Sequence, residues 1–346
     1  MRYSKVEITA LAYELAPVVV TSEELETRLA PMLRKLHISE GQLEFLTGIF
    51  ERRWWAPGTP VSRGAAAAAK KVLANSNVPV EHIGSVIYAG VCRELYEPAT
   101  ACRVAAALGV AATTAVYDIS NACLGVLNGM LEVANRIELG QIRAGLVVSC
   151  ESAREINDVM IERMLQMEDM KLFTLALATL TGGSGAVAVL LTDGSFDGPG
   201  GHRLLGGVTH VAPEHHALCR WGLETVDGAT RPFMSTDSVA VLKHGVELGR
   251  QTWGSFLSEM DWSEEDVDRV ICHQVGSGHQ DAILKTLGIA PEKDFTTYAY
   301  LGNIGTVSLP LTAAMADERG ALSRGDKVSF LGIGSGLNCM MLGLQW

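Results

Sequence analysis

Two stretches of this 346-residue chain repeat one order of strand-like and helix-like segments at nearly the same spacing, which limits the possible folds more than any single motif. Val86, in an apolar strand-like run, lies 37 residues before Cys123, where a helical pattern opens. Val270 lies 36 residues before Thr306, where another opens. From Cys123 to the next strand start at Ala144 is 21 residues, and from Thr306 to Lys327 is also 21. Identity between the stretches is low, so the match is one of architecture. Alternating strands and helices predict an α/β fold with a largely parallel sheet.

Strands are expected at 5–11, 86–90, 115–119, 145–150 and 186–191, then at 269–272, 327–331 and 338–345. A helix is expected over 238–260, a capping-box start at Ser263-Glu264-Glu265-Asp266, and helices over 280–287 and through Leu311 and Met315. The Gly- and Asp-rich stretch 193–201 is the most loop-like, which divides the chain into halves 1–197 and 198–346. Residues 155–181 have no counterpart in the second half. There Met160, Met164, Met167 and Met170 fall at near-helical spacing, as a core helix or as an adaptable apolar cap over a channel. Halves packed back to back bring Cys123 near the loops at His273 and Asn303.

Composition narrows the function. Hydrophobic residues make up 48% and mean hydropathy is +0.19, which fits a large core, a subunit interface or an apolar channel. No apolar run approaches the ~20 residues of a transmembrane helix, and Glu7 and Glu14 interrupt the N-terminal apolar stretch, so a cytoplasmic, non-spanning protein is expected. Seven cysteines without a CxxC pair fit neither a disulfide framework nor a thiolate zinc site. His215-His216 has no third ligand at metal spacing, and no metal is expected. A net charge of −11 argues against nucleic acid as a partner. Arg52-Arg53 is either a local basic patch for an anionic substrate or a solvated face.

Cys123 sits between the strand 115–119 and a helix carrying Leu124, Leu127, Leu131 and Ala134, closed by Gly140. Helix N-termini favour thiolate over thiol, and pKa values at comparable sites run from ~3.5 to ~7.5, so Cys123 is either a nucleophile or a buried structural cysteine. His273 follows a strand and enters a glycine loop, where α/β proteins place their sites, whereas His244 lies inside a helical pattern. Asn303 lies between Gly302 and Ile304-Gly305, either fixed by unusual backbone or simply in a turn. Gly332-Ile333-Gly334-Ser335-Gly336 lacks the helix a dinucleotide loop requires. As a reversal between strands it can point a backbone N–H at a reacting carbonyl. Glu97, before Pro98, reads as a helix start with a favourable charge.

Taken together, Asn121-Ala122-Cys123-Leu124-Gly125, His273-Gln274 and Gly302-Asn303-Ile304-Gly305 resemble the Cys-His-Asn triad of the thiolase superfamily, in the order and spacing of β-ketoacyl-ACP synthase III. Thr47-Gly48-Ile49 with Arg52-Arg53 is similar to that family's Gly-Ile…Arg motif, and Gly334-Ser335-Gly336 to its C-terminal glycine loop. Tyr96-Glu97-Pro98-Ala99-Thr100 and the 332–339 loop are most similar to the OleA family, which joins two fatty acyl-CoA chains head to head. The resemblance covers essentially the whole chain. It implies a thiolase-like duplicated α/β fold, two similar halves with mixed, mostly parallel sheets packed as a layered αβαβα sandwich. It also implies a homodimeric acyltransferase using coenzyme A thioesters without a further cofactor. Acyl carrier protein is the alternative donor, and downstream pathway enzymes are further partners.

For the residues, the resemblance implies Cys123 as nucleophile, Glu97 as base in the neighbouring subunit's site, His273 and Asn303 at the enolate, and the N–H groups of Cys123 and Ser335 at the oxyanion. Arg52, Arg53, Met160 and Met164 are expected to bind substrate. The alternative function is a decarboxylating synthase III fed by malonyl-ACP. Where CoA-binding synthases commonly carry a tryptophan, six residues before the Gly-Ile motif, this chain has Gln42.

Overall fold

A computed structural model describes residues 1–196, 198, 200–226 and 228–346. The first part of the chain forms β1 (Glu7–Leu15), β2 (Val18–Thr21), α1 (Ser22–Lys35), α2 (Gln42–Thr47), β3 (Glu51–Trp54), α3 (Val61–Ala74) and β4 (Ile83–Ala89). It continues with α4 (Thr100–Leu108), β5 (Ala115–Ile119), α5 (Gly125–Glu138), β6 (Ala144–Glu151), α6 (Arg154–Met167), α7 (Met170–Leu180) and β7 (Gly185–Thr192). After the loop come β8 (His202–Val211), β9 (Cys219–Val226), β10 (Ala229–Thr236), α8 (Ser238–Met260), β11 (Arg269–Cys272) and α9 (Ser277–Leu287). The chain ends with α10 (Tyr298–Leu301), α11 (Ser308–Glu318), β12 (Lys327–Gly334) and β13 (Asn338–Gln345). The expected boundary residue, Asp197, lies outside the described residues.

The sheet order is β11-β12-β13-β8-β1-β7-β6-β4-β5. It consists of two flanks of matching design, β1-β7-β6-β4-β5 and β8-β13-β12-β11. In each, an antiparallel pair at the inner side gives way to parallel strands outward: β6, β4 and β5 in one, β12 and β11 in the other. A single parallel bridge between Val270 and Asp294 marks the place of a fifth strand in the second flank. Within the sheet the flanks meet along β1 and β8, which pair at Glu7↔Arg203 and Ile8↔His202.

Side-chain alternation sorts the layers. In β7, Val187, Val189 and Leu191 face one core with α5 and α11, while Ala186, Ala188 and Leu190 face another with α3. The central core also takes Ile271, Phe330 and Leu342 from the second flank, so α5 and α11 are sandwiched between the flanks. Residues of α8 and α9 (Leu248, Phe256, Leu284) cover the far side of the second flank. Strands buried on both faces read as continuous apolar runs, as β6 and β7 do.

Two expectations change. Ser263 to Asp266 closes a single turn, with the Ser263 N–H donating to Asp266 at 2.8 Å, because the chain enters β11 only three residues later. Residues 202–236 hold three strands the sequence did not reveal. Of these, β8 takes in the second flank the position of β1, and the β9–β10 hairpin packs against α6 and α7.

Candidate active site

The carboxyl ends of the parallel strands of both flanks open on one cavity of about 550 Å³, where open α/β sheets place their ligand sites. Cys123, His273, Asn303 and Ser335 all line it. Four residues separated by up to 212 positions in the chain are thereby brought together.

Cys123 sits on a tight corner between β5 and α5. Ala122 has φ +44°, a left-handed conformation that a side chain disfavours, and it turns the chain within two residues. The loop between β12 and β13 backs directly onto this corner: a Cβ placed on Gly334 would lie 3.4 Å from the Cys123 nitrogen. Asn338 ties the two together, donating to Asn121 Oδ1 at 3.2 Å and to the Ser335 carbonyl at 3.0 Å.

The thiol is not acidified as its place at a helix start predicts. Burial, with smaller contributions from the nearby Cys219 and Glu151, pushes the Cys123 thiol up to about 12. The first-turn amides do not offset that burial. The N–H groups of Leu124 and Gly125 donate back to Asn121 and Ala122, and that of Val126 donates to Thr306 Oγ1 at 2.7 Å. These are the free donors that give a helix start its positive character, and here they are already engaged.

His273 directly follows β11, with its N–H donating to the Leu331 carbonyl at 2.8 Å. Its Nδ1 is buried without a partner among the described residues. Burial, helped by the neighbouring His279, brings its pKa down to about 4, so the ring is neutral near pH 7. A neutral imidazole still carries one N–H to donate and one nitrogen to accept.

Asn303 is fixed by its backbone, as the flanking glycines implied. Its N–H donates to Thr181 and its carbonyl accepts from Gly183, at 2.9 and 2.8 Å. Gly302 makes this possible: at φ +68°, a Cβ there would lie 2.4 Å from the Thr181 carbonyl oxygen. The side-chain Oδ1 accepts from the Gly305 N–H at 2.9 Å, which leaves Nδ2 as a donor without a partner among the described residues.

The remaining expected residues lie elsewhere. Arg52 does not line the cavity. It is 1% exposed, donates to Ser22 and the Val20 carbonyl, and burial lowers its pKa to about 10. Arg53 is half-buried on the same short strand, β3, also outside the cavity lining. Met160 and Met164 are buried against α1 in a separate core, because α6 turns its methionine stripe away from the site. The cap contributes Ile156, Ala178 and Thr179 instead. Glu97 lies on the exposed loop between β4 and α4, beside Leu95 and Tyr96, the latter 95% exposed.

Two parts of the site escaped sequence reasoning. Glu151 ends β6 and faces the cavity, 5% exposed. Its position after Val148-Ser149-Cys150 at a strand end was the available signal. The opposite wall comes from α8 and the β9–β10 hairpin, through residues such as Trp221, Met234 and Val241.

Comparison with known proteins accords with this arrangement. Residues 59–181 match the N-terminal domain of thiolases, and residues 257–346 match the C-terminal region of 3-oxoacyl-[acyl-carrier-protein] synthase III. The acyl-CoA:acyl-CoA alkyltransferase of Shewanella oneidensis is 60% identical with full coverage of both chains, and that of Xanthomonas campestris is 36% identical, again with full coverage. The crystal structure of Xanthomonas campestris OleA with cerulenin bound superposes with a TM-score of 0.94, covering 100% of this chain and 98% of that one at 36% identity. A form with bound lauric acid and lauroyl-CoA gives 0.93, covering 99% and 100% at the same identity. With that likeness running from end to end, the chain belongs to the OleA family of acyl-CoA:acyl-CoA alkyltransferases, condensing enzymes of the thiolase superfamily.

Proposed function

We propose that this protein joins two fatty acyl-CoA thioesters by a non-decarboxylative Claisen condensation, yielding a 2-alkyl-3-oxo acid for long-chain olefin synthesis. One observation carries the proposal. The cavity gathers a thiol and several neutral hydrogen-bond donors, and the one carboxylate lining it among the described residues, Glu151, already accepts two backbone amides. A base for a C–H proton must then come from outside this lining. Glu97, exposed on its loop in a cytoplasmic homodimer, supplies it to the partner's site.

In the first stage the Cys123 sulfur attacks the acyl carbonyl as its proton passes to His273. The oxyanion is held by the N–H groups of Cys123 and Ser335, the C–S bond to CoA breaks, and the CoA thiolate leaves with that proton. In the second stage the partner's base, Glu97, removes an α-proton from the next acyl-CoA. The neutral His273 and Asn303 Nδ2 donate to the enolate oxygen, and the carbanion attacks the acyl-cysteine. The C–S bond to Cys123 breaks, and the sulfur recovers a proton from Glu97. Thioester hydrolysis then releases the oxo acid.

The chain divides for this work near the 193–201 loop. Residues 1–197 bring the nucleophile and cap, and residues 198–346 bring the histidine and asparagine. Solved forms of the Xanthomonas protein include one with lauroyl-CoA bound, which supports CoA rather than carrier protein as the donor's handle. The test supplies one long-chain acyl-CoA and no malonyl donor. A condensed 3-oxo product is expected; product formation only after malonyl-ACP is added would replace this function with a decarboxylating synthase.

A further inference from the structure

Glu151 is a buried carboxylate that the two-stage reaction leaves without a task. Its oxygens accept from consecutive backbone amides, Val91 N–H at 2.8 Å and Cys92 N–H at 3.0 Å. These residues begin the loop that carries Glu97. Cys92 is held further, its carbonyl accepting from Tyr88 Oη at 2.7 Å and its sulfur lying 3.4 Å from the Ser152 nitrogen. The far end of the loop is fixed by a second carboxylate, Asp118, which accepts from Thr100 N–H and Ala101 N–H at 2.8 and 2.9 Å. Between these ends Glu94 accepts from Ser62 N–H at 2.8 Å and pairs with Arg103. The tip, Leu95 to Pro98, stands exposed without a hydrogen bond among the described residues, as does Arg93.

We propose that Glu151 is a positioning residue for the neighbouring protomer's reaction, fixing the start of the 91–99 loop so that Glu97 is held where the partner's sulfur needs it. This rests on the two-chain site proposed above. A carboxylate suits the task because it accepts from two adjacent amides at once, and charge-assisted hydrogen bonds to backbone N–H groups are among the stronger ones. Burial keeps those bonds free of competing water. Glu151 also faces its own Cys123 and packs beneath Gly305, so a local role must be separated from the transmitted one.

Mixed dimers make that separation, prepared from two differently tagged chains of which only one has a working sulfur. Glu151→Gln keeps the shape but sets an NH₂ group against one of the two amides. In the first arrangement the chain carrying Cys123→Ala also carries Glu151→Gln, and its partner is native. The working sulfur then has its own Glu151 but is served by a loosened Glu97 loop. In the second, a Cys123→Ala chain is paired with a Glu151→Gln chain, so the working sulfur loses its own Glu151 and is served by an intact loop. Rates of 3-oxo product formation from one long-chain acyl-CoA are compared with Cys123→Ala paired with native, and acylation is followed separately by protein mass.

The first arrangement should lose condensation by about ten- to a hundredfold, as expected for an ångström-scale misplacement of a catalytic group, with acylation unchanged. The second should lose clearly less than the first, since there only the local contact of Glu151 with its own site is changed, and Glu151→Asp in the first should recover part of the loss. Should Glu151→Gln not assemble, the same pair of arrangements is read with Glu151→Asp. No loss in the first arrangement, or an equal loss in the second, overturns the proposal. The two-chain site is checked on its own by pairing Cys123→Ala with Glu97→Ala: activity there supports service across the dimer, and inactivity sinks that reading whatever Glu151 does.

Discussion

The two flanks of the sheet offer the same strand ends to the cavity and furnish them with opposite chemistry. Where β6 ends in Glu151, the matching strand β12 ends in Gly334 and the Ser335 turn. Where β4 runs into the loop bearing Glu97, the matching strand β11 runs into His273. In the proposed reaction the first half thus carries the groups that take charge, Cys123 and Glu97. The second carries neutral donors: an imidazole near neutral form, an amide, and backbone N–H groups. The difference teaches how a duplicated fold divides labour. Negative charge that develops at a thioester is best met by oriented dipoles that need no proton of their own, and apart from the Cys123 N–H the proposed ones sit across the seam from the groups that generate it.

The harshest way to break this contrast is to remove the sulfur. Cys123→Ala should abolish acylation, seen as absence of an acyl mass shift on incubation with acyl-CoA, and reduce condensation by about 10⁴-fold or more. Glu97→Ala separates the two stages. Acylation should persist while condensation falls by about 10²–10⁴-fold, the usual worth of a placed general base.

On the neutral side, Asn303→Ala should lower condensation by about 10²–10³-fold, as for one lost oxyanion donor. Asn303→Asp sharpens the point. It keeps the shape but puts a carboxylate beside the enolate, so its loss should be at least as large. An Asp variant more active than the Ala variant would show that Nδ2 does not donate.

The acidity of Cys123 offers a smaller, graded test. With the thiol pushed up to about 12, the thiolate fraction is minute at neutral pH. Alkylation of Cys123 by iodoacetamide should therefore rise about tenfold per pH unit from pH 7 to 10, without a plateau. A plateau by about pH 7.5 would mean that the helix start outweighs burial after all.

What could be read from the sequence follows the same division. Cys123, His273, Asn303 and Ser335 were legible because each lies in a short glycine-marked corner, three of them beside a strand end and Asn303 after α10, and these four do share one cavity. The strands β5, β11 and β13 were legible to the residue because they are mainly apolar runs bounded by turn signals. The strand β8 was hidden by Gly206-Gly207, which interrupt its apolar pattern, and the β9–β10 hairpin by its mixed faces, with Trp221 and Leu223 exposed and the polar Glu224 paired with Arg163 of the cap. Arg52 misled because sequence shows that an arginine is present and not which way it turns. The thiol's acidity misled because burial, which the sequence does not show, pushes its pKa up, and the Val126 amide that could have opposed this is taken by Thr306 from 180 residues away.

That bond is also where the two halves can be loosened most gently. Thr306 is 1% exposed, and its hydroxyl is the partner of a buried amide in the first turn of α5. Thr306→Val keeps the volume but leaves the Val126 N–H unsatisfied, which should cost about 1–3 kcal/mol and lower Tm by a few degrees. Thr306→Ser keeps the oxygen and should cost less. The freed amide lies one turn from Cys123, so the two outcomes for reactivity are distinct. If the amide stays buried and unpaired, alkylation of Cys123 at pH 8 is unchanged and only stability falls. If it swings to the sulfur, alkylation speeds up while Tm drops less. The first outcome is expected, because Val126 sits in the helical ladder and its N–H cannot turn without breaking the bonds on either side.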